Sequence, residues 1–312
     1  VNKRNPTLGA AFALTGALLF GINASTSKVL IGTGIDPAAV VLFRSAATAL
    51  LAAAVVALTN PKAFKLTWRE VPRLLVFGVV GVALMQWAYS QAVSNMQVGV
   101  ALLIEYTAII WVPLASWLIY KEKLKPRIWF SVGLVLAGLL VVSNIWNGGL
   151  GPTGVIFAFM AATFLTVYFI MGEHAQKTRD TFSTLAYSML VSTIFWAIFA
   201  PWQNFDLSTL QKTVSLSGNL AAVNIPLWII VIWLAVMGSF VPMALSYRAL
   251  HHLSATGVGI ASTAETVFAF SFGFLWLNES ISGTQIAGGL LVLAGIVIAQ
   301  TARQQRTTNG ND

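Results

Sequence analysis

Residues 134–138 read Leu-Val-Leu-Ala-Gly, and residues 291–295 read Leu-Val-Leu-Ala-Gly again. In each copy a glutamate stands 12 residues upstream, Glu122 before the first and Glu279 before the second. Working outward, Tyr89 and Gly99 return as Tyr247 and Gly257 with their ten-residue spacing kept. A weaker echo links Gly9 and Phe12-Ala13 to Gly154 and Phe157-Ala158. Apolar sequences also match by chance. Against chance, these spacings cover two successive apolar runs and the loop between them.

The composition says what is being repeated. Of 312 residues, 57% are hydrophobic and only 9% charged, against roughly 25% in a soluble domain. So few charges cannot cover a water-exposed surface, so lipid must form part of the solvent. A spanning helix needs roughly 20 mostly apolar residues. Ten such runs are present, near 8–31, 37–58, 70–93, 97–119, 127–145, 153–173, 182–201, 226–249, 255–277 and 283–302. The breaks fall on turn residues such as Asp36-Pro37, Asn60-Pro61 and Gly151-Pro152. The first run is longer than a signal-peptide core and is read as a retained span. The one long connection, about 201–225, is polar and is expected outside the bilayer.

Basic residues orient the spans. Lys3, Arg4, Lys62, Lys65, Arg69, Arg73, Lys121, Lys123, Lys125, Arg127, Lys177, Arg179, Arg248, Arg303 and Arg306 all fall on one side, 15 of the 18 present. The opposite loops hold only Lys212. That is the positive-inside bias, and it predicts cytoplasmic N- and C-termini. Five spans per half is an odd number, so the second half must enter from the opposite side. The expected fold is an all-α integral membrane protein, ten transmembrane helices in two five-helix inverted-topology repeats. Residues 1–147 form the first repeat, 148–306 the second, and 307–312 a disordered tail. Inverted repeats place a site near the midplane between them.

The same residues carry a resemblance. Phe20-Gly-Ile-Asn23 with Lys28, Pro37 with Arg44, Leu118-Ile-Tyr-Lys-Glu122, Glu265-Thr-Val-Phe-Ala269 and Leu275-Trp-Leu-Asn-Glu279 occur in an order that resembles ten-helix, EamA-type members of the drug/metabolite transporter superfamily. The likeness covers nearly the whole chain. It departs at Thr266, where the family often has proline, and at Glu105, where an apolar or small polar residue is usual. The resemblance implies an exporter of small metabolites in a bacterial inner membrane, most readily neutral or aromatic amino acids. The alternative is an exporter of drugs or other organic metabolites.

Charged residues inside spans cost roughly 2.5–3.5 kcal/mol at a helix centre and persist where they face a cavity or a partner. Glu105, Glu265, Arg44 and Lys28 are therefore candidate substrate-binding residues. In the structural alternative, the glutamates neutralise Arg44 or Lys28 and lock helices together. Asn23, Gln86 and Tyr89 are further candidates, because larger polar groups need more partners away from lipid. Tyr106, Trp111, Tyr168 and Trp87 lie deep enough to line a pocket or to pack between helices. Trp68, Trp129, Trp202 and Trp228 sit near span ends, as interface anchors do. Pro113 and Pro242 each free a backbone carbonyl, those of Ile109 and Gly238, and are candidate hinges. Gly133 and Ala137 suit close contact between helices.

Other functions find little support. The chain has no cysteine, which removes disulfides, thiolate metal sites and cysteine nucleophiles. No metal or cofactor is expected from three histidines at span ends. No phosphate-binding Gly-x4-Gly-Lys motif is present, and the aspartates are scattered among loops and tail, which argues against an enzyme. A channel would show rings of charge or a filter sequence; two halves in one chain fit alternating access around a central cavity better. The partners expected are a small-molecule substrate and membrane lipid, without nucleic acid, for a chain acting as a monomer.

Overall fold

A computed structural model of the chain describes residues 5–120, 126–143, 150–201, 207–253 and 255–308. The glutamate of the first repeat, Glu122, and the anchor Trp202 lie outside these residues.

Span 1 is α1 (Pro6–Gly32) and span 2 is α2 (Pro37–Thr59). Each starts on a proline whose missing N–H costs nothing there. Asn5 and Asp36 cap them by accepting from the amides of Leu8 and Ala38. Gly34 takes the left-handed conformation that turns the chain between them. Span 3 is α3 (Val71–Val76), a π-helical segment (Phe77–Leu84) and α4 (Met85–Asn95). Span 4 is split into α5 (Val98–Glu105) and α6 (Ala108–Tyr120), and span 5 is α7 (Pro126–Ser143).

The second half repeats this order. Spans 6 and 7 are α8 (Pro152–Thr178) and α9 (Thr181–Phe199). Then come two short antiparallel strands, β1 (Thr213–Ser215) and β2 (Asn224–Pro226), in the long polar connection. Span 8 is α10 (Leu227–Ala235), a π-helical segment (Val236–Phe240) and α11 (Val241–His252). Span 9 is split into α12 (Ala255–Ser262) and α13 (Ala264–Leu275), and span 10 is α14 (Gly283–Thr308). Seven of these spans are long, apolar helices and the other three are shorter apolar ones. Spans 3 and 8 carry the π segments, and spans 4 and 9 carry the breaks. Both irregularities thus recur at equivalent places in the two halves.

Packing has the same symmetry. Span 1 packs on spans 8 and 9, and span 6 on spans 3 and 4; span 2 pairs with span 7, and span 5 with span 10. Exchanging the halves leaves this set of pairs unchanged, as a two-fold axis between two five-span repeats requires. Large apolar side chains such as Leu50, Leu58 and Leu118 point outward, as lipid-facing residues do. Trp68, Trp129 and Trp228 are also exposed.

The repeated pentapeptides meet each other. A Cβ on Gly138 would come within 2.7 Å of the Gly288 carbonyl and of Val292, and one on Gly295 within 2.6 Å of Val135. The buried face of α7 is therefore Ser131, Val135, Gly138 and Val142. Gly133 and Ala137 are exposed, and nothing lies within 4 Å of a Cβ at Gly133. The expected close-contact pair is on the wrong face, because the helix turns Gly138 rather than Gly133 toward α14.

At the end that carries the basic loops, Arg179 organises the turn between spans 2 and 3. Its guanidinium donates to the carbonyls of Ala63 and Lys65 and to the Glu70 carboxylate, and lies 4.8 Å from the Tyr187 ring centre. The Thr67 hydroxyl and amide also donate to Glu70, and with Arg179 they hold its pKa below the usual carboxylate value.

Candidate functional site

Both breaks have the same local chemistry. The first is written Ile104-Glu-Tyr-Thr107-Ala108 and the second Ile260-Ala-Ser-Thr263-Ala264. In each, the threonine amide and hydroxyl both donate to the isoleucine carbonyl three residues back: 3.1 and 2.7 Å in the first, 3.1 and 2.6 Å in the second. This tight turn interrupts the α-helical ladder in mid-span. Discontinuous spans of this kind form substrate sites in inverted-repeat transporters. Glu105 is the last residue of α5, and Glu265 lies in the first turn of α13. The two carboxylates therefore flank the two breaks.

They face one cavity of about 250 Å³. Of the candidates read from the sequence, Asn23, Arg44, Gln86, Tyr89, Glu105, Tyr106, Tyr168 and Glu265 all line it. The Tyr106 hydroxyl donates to Glu265 at 2.6 Å. Arg44 reaches from α2 to the π segment of span 8, where Nε donates to Ser239 Oγ and Nη2 to the Gly238 carbonyl at 3.3 Å. This is the carbonyl that Pro242 was expected to free. The π segment of span 3 shows the same exchange, with the Trp196 indole donating to the Ala83 carbonyl. In each π segment a backbone carbonyl thus accepts from a side chain of another span.

Several polar groups here have no hydrogen-bond partner among the described residues: the side-chain oxygens of Asn23 and Gln86 and the Tyr89 hydroxyl. Glu105 is only 5% exposed. A buried polar group without a partner costs roughly 1–3 kcal/mol, more for a charge. Their convergence on one space is a demand for a ligand or water. Apart from Ser239 and Ser246, the rest of the wall is apolar, including Phe20, Phe169 and three methionines, Met85, Met189 and Met243. Methionine adapts to ligands of varied shape.

Other candidates are placed elsewhere. Trp111 does not line the cavity: the residue is 38% exposed and its indole N–H donates to Thr107 Oγ1 at 3.0 Å. The break before α6 ties this tryptophan to the turn rather than to the pocket. Trp87 packs edge-on against Phe157 and beside Trp196. Lys28 also lies outside the cavity and pairs with Glu279 rather than with Glu105 or Glu265. Pro242 opens α11 directly after the π segment. Pro113 falls within α6, past the break at Thr107, and its side chain is outside the described residues. Phe20, Ser239 and the methionines were missed, since apolar and small residues in an apolar span carry no signal of facing a cavity. The paired Ile-x-x-Thr-Ala was readable and would have located both breaks.

Comparison with known proteins agrees with this architecture. The profile of the EamA-like transporter family matches residues 7–144 and again residues 152–301. An uncharacterized transporter of Archaeoglobus fulgidus is 22% identical over 227 residues, 72% of this chain and 74% of that protein. The uncharacterized transporter YdfC of Bacillus subtilis is 21% identical over 230 residues, 73% of this chain and 71% of that one. A stretch of 65 residues is 31% identical to the probable 4-amino-4-deoxy-L-arabinose-phosphoundecaprenol flippase subunit ArnE of Salmonella enteritidis, 21% of this chain and 57% of that one. One solved crystal structure shares the fold with a TM-score of 0.62 at 17% identity, covering 95% of this chain and 98% of its own. The fold and its paired broken spans define a multi-pass membrane transporter of two-repeat architecture. The chain belongs to the EamA-like transporter family.

Proposed function

We propose that this transporter exports neutral amino acids, aromatic ones among them, across a bacterial inner membrane by alternating access around the cavity between its repeats. Both termini are cytoplasmic in this reading, from the bias of the basic residues. The repeats divide near residue 148.

One observation carries the substrate class: a single guanidinium and two carboxylates converge on a space of about 250 Å³ with an apolar wall. An amino acid is the small metabolite that offers a carboxylate and an ammonium on adjacent atoms, with a variable side chain. Arg44 takes the carboxylate through Nη1, the nitrogen its bonds to span 8 leave open. Glu105 and Glu265 take the ammonium, with Tyr106 orienting Glu265. Asn23, Gln86 and Tyr89 complete the polar lining, and Tyr168 and the methionines receive the side chain. In a water-poor cavity such charge pairing is far stronger than at a surface. The π segment before Pro242 and the break before Pro113 supply the bending points.

The test is counterflow. Liposomes containing the purified protein are preloaded with candidate amino acids, nucleosides or cationic drugs and tested for exchange with labelled substrate outside. Exchange of amino acids, weakened in Glu105→Gln and Glu265→Gln at unchanged fold, is the expected result. Exchange of drugs or nucleosides alone, or normal rates in both variants, contradicts the proposal.

A further inference from the structure

Lys28 is a candidate for the cavity by sequence, yet it stands five residues beyond Asn23 on α1, about 7.5 Å further at 1.5 Å per residue. Its ammonium donates to Glu279 Oε1 at 2.6 Å and to the Met96 carbonyl at 2.8 Å. Glu279 also accepts from the Val98 amide, the first of α5, at 3.1 Å. A carboxylate at a helix N-terminus satisfies an otherwise orphan amide and opposes the positive end of the helix dipole. One carboxylate thus joins the end of span 1, the turn between spans 3 and 4, and the end of span 9.

The chain is shaped to deliver it. After α13 ends, Asn278 takes a left-handed conformation (φ 57°), and the Glu279 amide donates back to the Gly273 carbonyl at 2.9 Å. A left-handed residue just past the helix end reverses the chain, as at many helix C-termini. Gly273 has no side chain where the carboxylate sits: a Cβ there would lie 2.6 Å from Glu279 Oε2. A second set of bonds runs beside the first. Gln97 donates to the Ser280 carbonyl at 2.5 Å and accepts from Gln285 at 2.6 Å.

Between this polar knot and the cavity, by position along the helices, lies a mainly apolar layer. Ala24, Val93, Met96, Val98 and Ala269 belong to one buried apolar cluster drawn from spans 1, 3, 4 and 9. By chain connectivity the knot is at the end opposite the basic loops. No substrate can leave through that end until these four spans separate, and Glu279 is the group that holds three of their junctions at once.

We infer that the Lys28–Glu279 pair, with the Val98 amide, is the outer gate of this transporter, closed in this structure and broken when the cavity opens to the far side. This rests on the alternating-access part of the proposed function but not on the choice of substrate. In the sequence repeat, Glu122 is the residue of the first half that matches Glu279.

The absence of native cysteine makes the test direct. Ser27 is 1% exposed and lies beside Lys28. A Ser27→Cys reporter is treated with a membrane-impermeant maleimide from the side opposite the basic loops. In the parent background it should react slowly. Added Glu279→Gln or Lys28→Met should raise the rate at least ten-fold, and Lys28→Arg, which keeps the ion pair, should leave it slow. Reporter rates within two-fold of one another in all four backgrounds would overturn the inference, as would acceleration by Lys28→Arg equal to that by Lys28→Met. If Glu279→Gln does not yield folded protein, the Met and Arg variants at Lys28 decide the matter alone. The readout needs no substrate, so its failure is separate from failure of the amino-acid reading.

Discussion

The seam between α7 and α14 and the wall of the central cavity are both built by the two repeats meeting, yet they are made of opposite materials. At the seam the halves contribute the same five residues, with valine set against glycine in both directions, and no charge. At the cavity the halves share backbone irregularity, in paired π segments and breaks closed by matching threonines, and the equivalent methionines Met85 and Met243. The polar side chains there differ, with Arg44 and Glu105 from the first half facing Glu265 and Ser239 from the second. Where the repeats have stayed alike they form a scaffold. Where they have diverged they form an asymmetric surface, which is what an asymmetric small molecule requires.

That contrast can be broken from either side. The largest effect is expected at the cavity. Arg44→Met removes the cation that, among the described residues, faces the two carboxylates, and losing one partner of a buried charged set costs about 3–5 kcal/mol. Substrate exchange should fall by about 100-fold or more, while the protein still elutes as a monodisperse species. At the seam the order of effects reverses. Gly138→Val drives a side chain into the Gly288 backbone, and overpacking of this kind costs about 1–3 kcal/mol. It should lower the melting temperature in detergent and reduce transport only in proportion to the folded fraction lost.

A finer contrast lies within α7 itself. Gly133→Ala meets open space, so the gain in helix propensity, about 0.5–1 kcal/mol, should leave the protein as stable as the parent or slightly more so. A loss comparable to that of Gly138→Val would show that the face assignment is wrong. Smallest is Glu70→Gln at the basic end. The folded pKa of Glu70 is lowered, so its contribution is present above the ordinary carboxylate pKa and is lost as pH falls through the lower folded value. Glu70 is partly exposed, and the change in melting temperature at neutral pH should stay within what about 1 kcal/mol produces. The difference from the parent should vanish in acid.

The two regions also differ in how far the sequence reveals them. The spans, their odd number per half and the α7–α14 scaffold are legible because they depend on composition and repeat spacing. The carboxylates and Arg44 are legible because charge inside hydrocarbon is costly and so rarely idle. The breaks at Thr107 and Thr263 and the π segments are harder. Each is an apolar stretch that local propensity alone would leave as continuous helix. The π-segment carbonyls are taken by distant side chains, Arg44 and Trp196, whose approach depends on tertiary packing. Trp111 shows the converse error: it lies within the span, but the break at Thr107 sets its direction away from the cavity. Lys28 stands out in the sequence as a charge in need of explanation, and its partner, Glu279, is visible there as a repeat marker and the end of a family-like motif, not as a partner.

The most direct test of the central claim, that Arg44 and the two glutamates together read a zwitterion, is counterflow in which the wild-type protein is offered phenylalanine, phenylalanine amide and N-acetylphenylalanine. The amide lacks the carboxylate for Arg44, and the acetyl derivative lacks the ammonium for Glu105 and Glu265. Exchange of the free amino acid, with each derivative at least ten-fold slower, is the predicted result. Equal exchange of all three would contradict it.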